Sequence, residues 1–340
     1  MIQNKIFVFL YVIFLSSCSR ENSNLFLFEH DIQDGAKPWS YEPTGRADSS
    51  FTFAIISDLN GGEREGIFEV AIQQINLFKP EFILSVGDLV DGSENLAEIK
   101  EQYDSFDKRA ARAIAPIFHV GGNHDLTNQA MRDFWKERYG RHYYYFIYQN
   151  VLFLVLDTED YDDSFRQKIH AAREKAIAIL DGDHPEDYKS TEYFHLPERK
   201  TGKIEEEQNA YFEKVIADHP KVRWTFVLMH KPVWQREGAG NLSRIESALG
   251  SRNFTVVNGH LHSYSYTIRN GHDYIMLGTT GGSQSAIDAN SFDHITLVSF
   301  SADGRPSIAN VRMDGLLDKT GKIPGDGEKY CYQASACKSE

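Results

Sequence analysis

The amino-acid sequence predicts an α/β fold. Eight short apolar runs recur between polar, glycine-marked turns, and such runs are typical of buried strands. Between the early runs, segments 67–78 and 96–110 carry apolar residues at spacings of three and four, which indicate helices with one buried face. Alternation of strands and helices is typical of α/β proteins. The eight runs are FTFAII (51–56), EFILSV (81–86), IFHV (117–120), VLFLVL (151–156), WTFVLM (224–229), FTVV (254–257), YIML (274–277) and ITLVSF (295–300).

Composition and charge narrow the class of protein. The chain has 340 residues, with 36 Lys and Arg against 49 Asp and Glu, and a formal net charge of −13. A protein that binds nucleic acid by neutralising its phosphates needs a basic surface. The negative net charge of this chain therefore argues against that function. Hydrophobic residues make up 41% and charged residues 25%, which is ordinary for a folded chain. One large domain or two modest ones would fit this length.

The amino-terminal segment has the pattern of a secretion signal. Residues 1–17 contain a lone Lys5, then an apolar run of ten residues from Ile6 to Leu15, then small residues. That run is short of the roughly 20 residues that a spanning helix needs. Leu15-Ser16-Ser17-Cys18 resembles the lipobox of bacterial lipoproteins, which implies a diacylglycerol on Cys18 and cleavage before it. We therefore expect an extracytoplasmic protein with a lipid anchor in a bacterial membrane; a plain secreted protein is the alternative.

Three further segments lie outside the predicted core. Residues 18–50 are mostly polar and predict a lipidated tether. Residues 159–207 are strongly charged and predict a surface insertion with one amphipathic helix near 165–180; a solvated flank is favoured, and a lid that selects substrate is the alternative. Residues 316–340 predict a tail, in which Cys331 and Cys337 could form a disulfide outside the cytoplasm.

Five of the apolar runs end directly at clusters of metal-ligand residue types. The clusters are SDLN (57–60), GDLVD (87–91), GGNHD (121–125), HKP (230–232) and NGHLH (258–262). Ligands bind at the carboxyl ends of the strands in an α/β sheet, so one edge should collect these side chains. His260 and His262 are two residues apart, which in an extended chain points both rings the same way.

These residue types suit two divalent cations. Carboxylate, amide and imidazole donors accept Mn, Fe, Zn or Mg, and no thiolate is available there. Two cations that share a carboxylate can clamp a phosphoryl group and lower the pKa of a bound water, so hydrolysis of phosphate esters is the natural reaction. Singly, Asp58 or Asp88 could cap a helix and Asn123 could belong to a turn. Their coincidence at successive strand ends favours the metal site.

The order and spacing of the blocks resemble the calcineurin-like metallophosphoesterase family, whose pattern runs D-x-H, GD, GNH[DE], H, GHxH. The resemblance covers roughly residues 51–315 and implies a four-layer α/β/β/α sandwich with mixed sheets. It implies one metal bound by Asp58, Asp88 and His262, and a second bound by Asp88, Asn123, His230 and His260, with Asp88 bridging. It also implies that His124 contacts the phosphate and protonates the leaving group, and that Asp125 orients His124.

Asn60 departs from the family pattern, which has histidine at this position. An amide oxygen is a neutral and harder donor than imidazole, so Asn60 as a ligand would weaken the first metal or favour Mn or Mg. Asp91 lies where the related purple acid phosphatases carry a metal-binding tyrosine. We interpret Asp91 as a residue that supports the metal ligands or begins a helix, rather than as a ligand itself.

The sequence therefore predicts a lipid-anchored enzyme that hydrolyses phosphate mono- or diesters by metal-hydroxide attack. An inactive member of the family that acts as a surface binding module is the alternative, motivated by Asn60 and the charged insertion. The substrate would be a phosphorylated small molecule, a nucleotide or a lipid. Two divalent cations would make the site locally positive although the chain is acidic.

Overall fold

Two β-sheets packed face to face carry the fold. A computed structural model describes residues 28–44, 50–301 and 304–313. In the first sheet, the strands lie in the order β1 (Phe28–His30), β5 (Tyr144–Tyr148), β6 (Val151–Val155), β7 (Trp224–Leu228), β8 (Phe254–Asn258), β10 (His272–Met276) and β9 (Ser265–Arg269). In the second sheet, the order is β12 (Ser307–Arg312), β11 (His294–Phe300), β2 (Phe51–Ile56), β3 (Ile83–Ser85) and β4 (Ile117–Phe118).

Helices cover the outer face of each sheet. The described helices are α1 (Ile67–Phe78), α2 (Leu96–Ala110), α3 (Gln129–Tyr139), α4 (Asp163–Leu180), α5 (Glu192–His195), α6 (Pro197–Thr201), α7 (Glu206–Asp218) and α8 (Ser243–Leu249). The first three pack on the second sheet, and α7 and α8 pack on the first. The described chain therefore has the predicted four layers, α/β/β/α. Among the described helices, none combines the length and apolar character that crossing a bilayer would require.

Burial on both sides explains why the central strands β6, β7 and β8 are apolar on both faces. In β6, Val151, Phe153 and Val155 face the second sheet, whereas Leu152 and Leu154 face α7 and α8. Side chains with a period of two point to opposite faces of a strand, and both faces are buried here. Between the sheets, half of the core residues are aromatic, and the rings of Phe146 and Phe153 stack with centroids 4.5 Å apart.

Parallel strands in both sheets direct their carboxyl ends to the same edge. In the second sheet, β2, β3 and β4 are parallel, and in the first sheet β6, β7 and β8 are parallel. His230, after β7, lies against the carbonyl of Val86, after β3, with Nδ1 2.8 Å from that oxygen. The loops that follow the strands of the two sheets therefore meet across the sandwich.

The predicted tether is wrong over residues 28–44. Strand β1 pairs antiparallel with β5, with Phe28 opposite Tyr148, and Trp39 is buried 5.3 Å from the ring of Phe118. Residues 28–44 are held at the edge of the sheet by a few apolar side chains, and their other residues face solvent. The composition of the segment is therefore polar, which is why the sequence suggests a tether. The predictions for residues 1–17, for the lipid on Cys18 and for a Cys331–Cys337 bridge lie outside the described residues.

The charged insertion folds into α4, a 3₁₀ turn at Pro185–Ser190, α5 and α6. It has a small apolar cluster of its own, formed by Tyr161, Ile169, Ala172, Ala176 and Tyr193. The helix predicted near 165–180 is confirmed as α4. Asp162 begins it as an N-cap, accepting a hydrogen bond of 2.9 Å from the Phe165 N–H.

Candidate metal centre

Two groups of ligand side chains meet at the edge where the parallel strands end. One group is Asp88, His230 and His260, and the other is Asp58, Asp88 and His262; in each group the ligand atoms lie within 4.8 Å of one another. Asp88 belongs to both groups. This sharing places a single carboxylate between two potential cation positions, as the ligand pattern predicts.

His230 lies at the centre of the first group. Its Nε2 is 3.1 Å from Asp88 Oδ2 and 3.1 Å from Asn123 Oδ1. Its Nδ1 donates to the Val86 carbonyl oxygen, which fixes the ring and leaves Nε2 as the ligand atom. Asn123 thus lies next to His230, with which it is predicted to bind the second metal.

The second group is organised in the same way around His262. Its Nε2 is 3.4 Å from Asp58 Oδ1, and its Nδ1 donates to the Ser283 carbonyl oxygen over 2.6 Å. A hydrogen bond at one ring nitrogen to a main-chain carbonyl is a common means of presenting the other nitrogen to a metal. The rings of His230 and His262 are therefore both oriented for binding a metal through Nε2.

The burial and the charge of the two carboxylates indicate whether these ligand side chains are suited to cations. Asp58 is 0% exposed and Asp88 is 2% exposed, and a buried carboxylate needs a positive partner. Burial alone would raise the pKa of Asp88, but His230 and His124 outweigh it and hold that pKa well below its usual value. Burial would lower the pKa of His230, but Asp88 outweighs it and raises the value to about 9. A carboxylate that stays ionised among nitrogen donors is the environment a divalent cation needs, so the residues fit.

The backbone at the predicted ligands is in the left-handed region. Asp58, Asp88, His260 and His262 have φ values of 45°, 56°, 81° and 53°, which residues other than glycine adopt rarely. Such conformations cluster at functional sites, where the surrounding structure holds them. The prediction that His260 and His262 lie in an extended chain is wrong, and their rings join different groups.

Two glycines allow the ligand loops to approach each other. A Cβ atom at Gly122 would lie 2.2 Å from Asp88 Oδ1, and one at Gly259 would lie 2.2 Å from Asp58 Oδ2. Neither position can hold a larger residue unless a carboxylate moves. The GGN and NGH sequences therefore place main chain directly against the two carboxylates.

Asn60 is buried beside these carboxylates but already has a partner. Its Nδ2 donates to the Leu89 carbonyl oxygen over 2.7 Å, and its main-chain N–H donates to the Asp88 carbonyl. Only Oδ1 is left as a ligand atom. A ligand role for Asn60 stays a prediction.

The His124 ring lies between the Asp91 carbonyl and Gly61. Its Nδ1 donates to the Asp91 carbonyl oxygen over 2.8 Å, and its Nε2 would lie 3.6 Å from a Cβ atom built at Gly61. Burial lowers the pKa of the His124 imidazole, Asp88 raises it and Arg173 lowers it, with a net decrease. Nε2 is therefore the nitrogen free to exchange a proton.

The prediction that Asp125 orients His124 is wrong. Asp125 is fully buried, and its carboxylate accepts hydrogen bonds from the N–H groups of Gly122 at 2.8 Å and Leu89 at 3.1 Å. It holds the loop that carries Asn123 against the loop that carries Asp88. Asp91 supplies the contact to His124 through a main-chain carbonyl, which side-chain identity in a sequence does not reveal.

The charged insertion forms one side of this centre. His260 Nε2 lies 2.7 Å from the carbonyl oxygen of Arg199 in α6, and His170 Nε2 in α4 lies 2.7 Å from Glu94 Oε1, close after Asp91. The favoured interpretation of a solvated flank is therefore incomplete. Its helices contact residues on both halves of the site.

Comparisons with known proteins agree with this arrangement. The model of a family described as calcineurin-like phosphoesterase matches residues 51–264. A search of curated proteins found no match.

Several solved structures share the fold at low sequence identity. A dimetal phosphatase from Danio rerio is 14% identical, with a TM-score of 0.55 over 77% of this chain and 96% of that chain. GAP50 of Plasmodium, described as the anchor in the inner membrane complex, is 16% identical, with a TM-score of 0.51 over 81% and 87%. A purple acid phosphatase from yellow lupin is 13% identical, with a TM-score of 0.53 over 81% of this chain and 53% of that chain. These likenesses show the fold alone.

Proposed function

The chain belongs to the calcineurin-like phosphoesterase family, and on that premise we propose that it is a metal-dependent hydrolase of phosphate mono- or diesters. The observation that carries the proposal is the shared position of Asp88 in two groups of ligand atoms. Two cations that share one carboxylate are the usual arrangement for phosphoryl transfer to water. Family membership supports the reaction class, and the geometry supports the choice of residues.

Each cation would be held by residues from different loops. Asp58, Asp88 and His262 would bind the first, and Asp88, Asn123, His230 and His260 would bind the second. Bound divalent cations polarise phosphoryl oxygens and lower the pKa of a water molecule toward neutrality. The cations would be Mn, Fe, Zn or Mg, because the donor set is mixed oxygen and nitrogen.

His124 would supply the proton for the leaving group. Its Nδ1–H is held by the Asp91 carbonyl, so the transferable proton is the one on Nε2. Nε2 lies beside Gly61, which also adjoins the His262 ring, and we expect a substrate oxygen to lie within its reach. General acid catalysis by a positioned imidazole contributes on the order of 10²–10⁴-fold.

The electrostatics of the site would favour phosphate although the protein is acidic. Two divalent cations bring 2 × 2 = 4 positive charges against the two carboxylates Asp58 and Asp88. Phosphorylated small molecules, nucleotides and lipids remain candidate substrates. The walls of the pocket, including the insertion, would select among them.

Metal reconstitution tests the proposal. Metal-free protein is reloaded with Mn, Fe, Zn or Mg and assayed with p-nitrophenyl phosphate and bis-p-nitrophenyl phosphate. We expect turnover that chelator removes and that Asp88→Asn abolishes, with about two ions per chain in the wild type. The exposed variant Asp133→Asn is a matched control, because it makes the same chemical change away from the site. Absence of turnover with every metal, or activity retained in Asp88→Asn, would contradict the proposal.

Lipid anchoring at Cys18 is a further part of this proposal, supported by the sequence of residues 15–18. Membrane fractionation tests this: wild-type protein should sediment with membranes and Cys18→Ser should not. Equal distribution of the two proteins would contradict the anchor.

A further inference from the structure

Lys231 is a buried cation directly after the predicted metal ligand His230. Its side chain is 2% exposed, and its Nζ lies 2.6 Å from Glu159 Oε1. Nζ also donates to the Glu198 carbonyl oxygen over 3.0 Å, and the main-chain N–H of Lys231 donates to Thr158 Oγ1 over 3.1 Å. A buried ammonium needs such partners, because removing a charge from water is costly. Since Lys231 is buried and paired within the protein, it is not a substrate-binding group.

These contacts join the charged insertion to the loop after β7. Lys231 pairs with the first residue of the insertion and, through the Glu198 carbonyl, with α6 near its end. Arg236 adds a second connection. One of its guanidinium nitrogens lies 2.8 Å from Glu198 Oε1, and another donates to the Gly202 carbonyl oxygen over 2.9 Å. The loop after β7 therefore holds α6 through both its main chain and its side chains.

Helix α6 in turn holds the ring of His260. His260 Nε2 lies 2.7 Å from the carbonyl oxygen of Arg199, the residue after Glu198. Carbonyl groups in the last turn of a helix generally lack a partner within the helix, so this carbonyl is available to an imidazole. Because a carbonyl only accepts, Nε2 carries the proton and Nδ1 is left for a cation. Lys231 and His260 therefore bind two successive carbonyl groups of α6.

The other two predicted histidine ligands are oriented without the insertion. His230 Nδ1 donates to the Val86 carbonyl oxygen, and His262 Nδ1 donates to the Ser283 carbonyl oxygen. Of the three histidines, His260 is thus the one whose orientation depends on α6, and it belongs to the group around His230. A displacement of α6 should therefore affect one cation position and spare the position around His262.

We propose that Lys231 is a positioning residue for the second cation: it fixes α6, and the Arg199 carbonyl then fixes the His260 ring. The inference rests on the proposed function, because it assumes cations at the predicted ligands. A hydrogen bond at the ring nitrogen away from the metal fixes the tautomer and orientation of a histidine ligand, and its loss typically weakens metal binding about 10–100-fold. The insertion is thereby part of the metal centre and not only a wall of the substrate pocket.

Zinc binding tests this role without requiring turnover. Zn²⁺ is titrated calorimetrically into metal-free wild type, Lys231→Gln and Lys200→Gln. Lys200 is exposed on α6, so Lys200→Gln is a matched control that removes the same charge without touching the Lys231 contacts. We expect Lys231→Gln to weaken one of two zinc-binding steps about 10-fold and to leave the other unchanged. Lys200→Gln should match the wild type in both steps.

Nuclear magnetic resonance identifies the weakened step. Proton–nitrogen correlation spectra of histidine-labelled protein report each ring nitrogen, and His260→Gln and His262→Gln assign the two signals. In the wild type we expect His260 to keep its proton on Nε2 and to bind zinc through Nδ1. In Lys231→Gln the His260 signal should need about 10-fold more free zinc to reach its bound position, whereas the His262 signal should follow the wild type. No change at His260, or equal weakening at His260 and His262, would overturn the inference.

Unfolding and turnover are measured on the same proteins. Lys231→Gln leaves Glu159 buried without its cation, which is destabilising, so urea unfolding is recorded for each variant. If Lys231→Gln does not fold, Arg236→Gln decides the outcome, because Arg236 holds α6 through independent contacts. Unchanged zinc binding at His260 in Arg236→Gln would then overturn the inference.

Turnover separates this inference from the proposed function. If zinc binding at His260 depends on Lys231 but the zinc-loaded wild type hydrolyses neither phosphate monoesters nor diesters, the proposed function fails and the positioning role stands. If the enzyme is active but zinc binding at His260 is the same in Lys231→Gln as in the wild type, the proposed function stands and the positioning role fails.

Discussion

The imidazole Nδ1 of His124 donates a hydrogen bond of 2.8 Å to the main-chain carbonyl oxygen of Asp91. Main chain, rather than a carboxylate, thus sets the orientation of the proposed acid. A carbonyl cannot ionise, so the contact keeps its character across the pH range. The proton that matters for catalysis is then the one on Nε2.

The first prediction concerns this proton. His124→Gln should lower kcat for an alkyl phosphate by roughly 10²–10⁴-fold, because the alkoxide leaves poorly without protonation. The loss for p-nitrophenyl phosphate should be much smaller, since nitrophenolate leaves readily. Steady-state kinetics with the two substrates measure the difference. Asp125→Asn is the control: it should lower the urea midpoint of unfolding without changing the ratio between substrates. Equal losses for both substrates in His124→Gln would contradict the assignment.

The second prediction concerns the close approach of main chain to Asp58. Gly259→Ala should reduce bound metal below two ions per chain, because the added Cβ would lie 2.2 Å from Asp58 Oδ2. Metal content by elemental analysis measures the effect. Gly238→Ala is the comparison, because a Cβ there meets no atom within 4 Å. Gly238→Ala should lose only about 1 kcal/mol of stability through its positive φ and should keep two metal ions per chain. Two bound ions per chain in Gly259→Ala would contradict the proposed role of Asp58 as a metal ligand.

The third prediction links stability to pH through His119. Burial lowers the pKa of this histidine to about 4, whereas an unfolded chain has a value near 6.5. The unfolded state therefore binds the proton first as the pH falls. The stabilisation is fully present above about pH 6.5 and is lost progressively toward pH 4.

The variant His119→Phe isolates this contribution. The His119 ring packs against Tyr139, and its Nδ1 has no hydrogen-bond partner in the described structure, so phenylalanine is a reasonable replacement. Lowering the pH from 7 to 5 should reduce the free energy of unfolding of both proteins. The reduction should be about 2 kcal/mol smaller in the variant, which lacks the titrating histidine. Urea unfolding at both pH values measures this. The exposed His184→Phe should follow the wild type, and parallel curves for His119→Phe and wild type would refute the prediction.

The fourth prediction tests the place of residues 28–44 in the domain. Trp39→Ala should destabilise the protein by about 3–5 kcal/mol, because it empties a buried position beside Phe118. A tether would tolerate the change without effect. Thermal or urea unfolding measures it, and the exposed Tyr41→Ala nearby provides the comparison. An unchanged midpoint for Trp39→Ala would mean that this segment does not contribute to the core.

Much of the core could be predicted because its signals are local. All eight apolar runs contain strands, and the two periodic segments are α1 and α2. Strand β1 escaped prediction because a three-residue edge strand carries too few buried side chains to mark it. The meeting of the ligand side chains at one edge followed from the rule that ligands gather at strand ends, whereas the grouping of Asp58, Asp88 and His262 followed from the family resemblance. The partners of Asp125 did not follow, since they are N–H groups of other loops.

The α/β class, the order of the ligand blocks and the family could all be read from the chain, because each depends on residue type and spacing. Which atoms meet depends on the folded arrangement of the two sheets. It placed the Asp91 carbonyl against His124 and the insertion against His260 and Glu94, and it put the rings of His260 and His262 in different ligand groups. These contacts join segments far apart in the chain, and several use main-chain atoms that every residue possesses. Residue identity therefore does not predict these contacts. They form only when the two sheets bring their loops together.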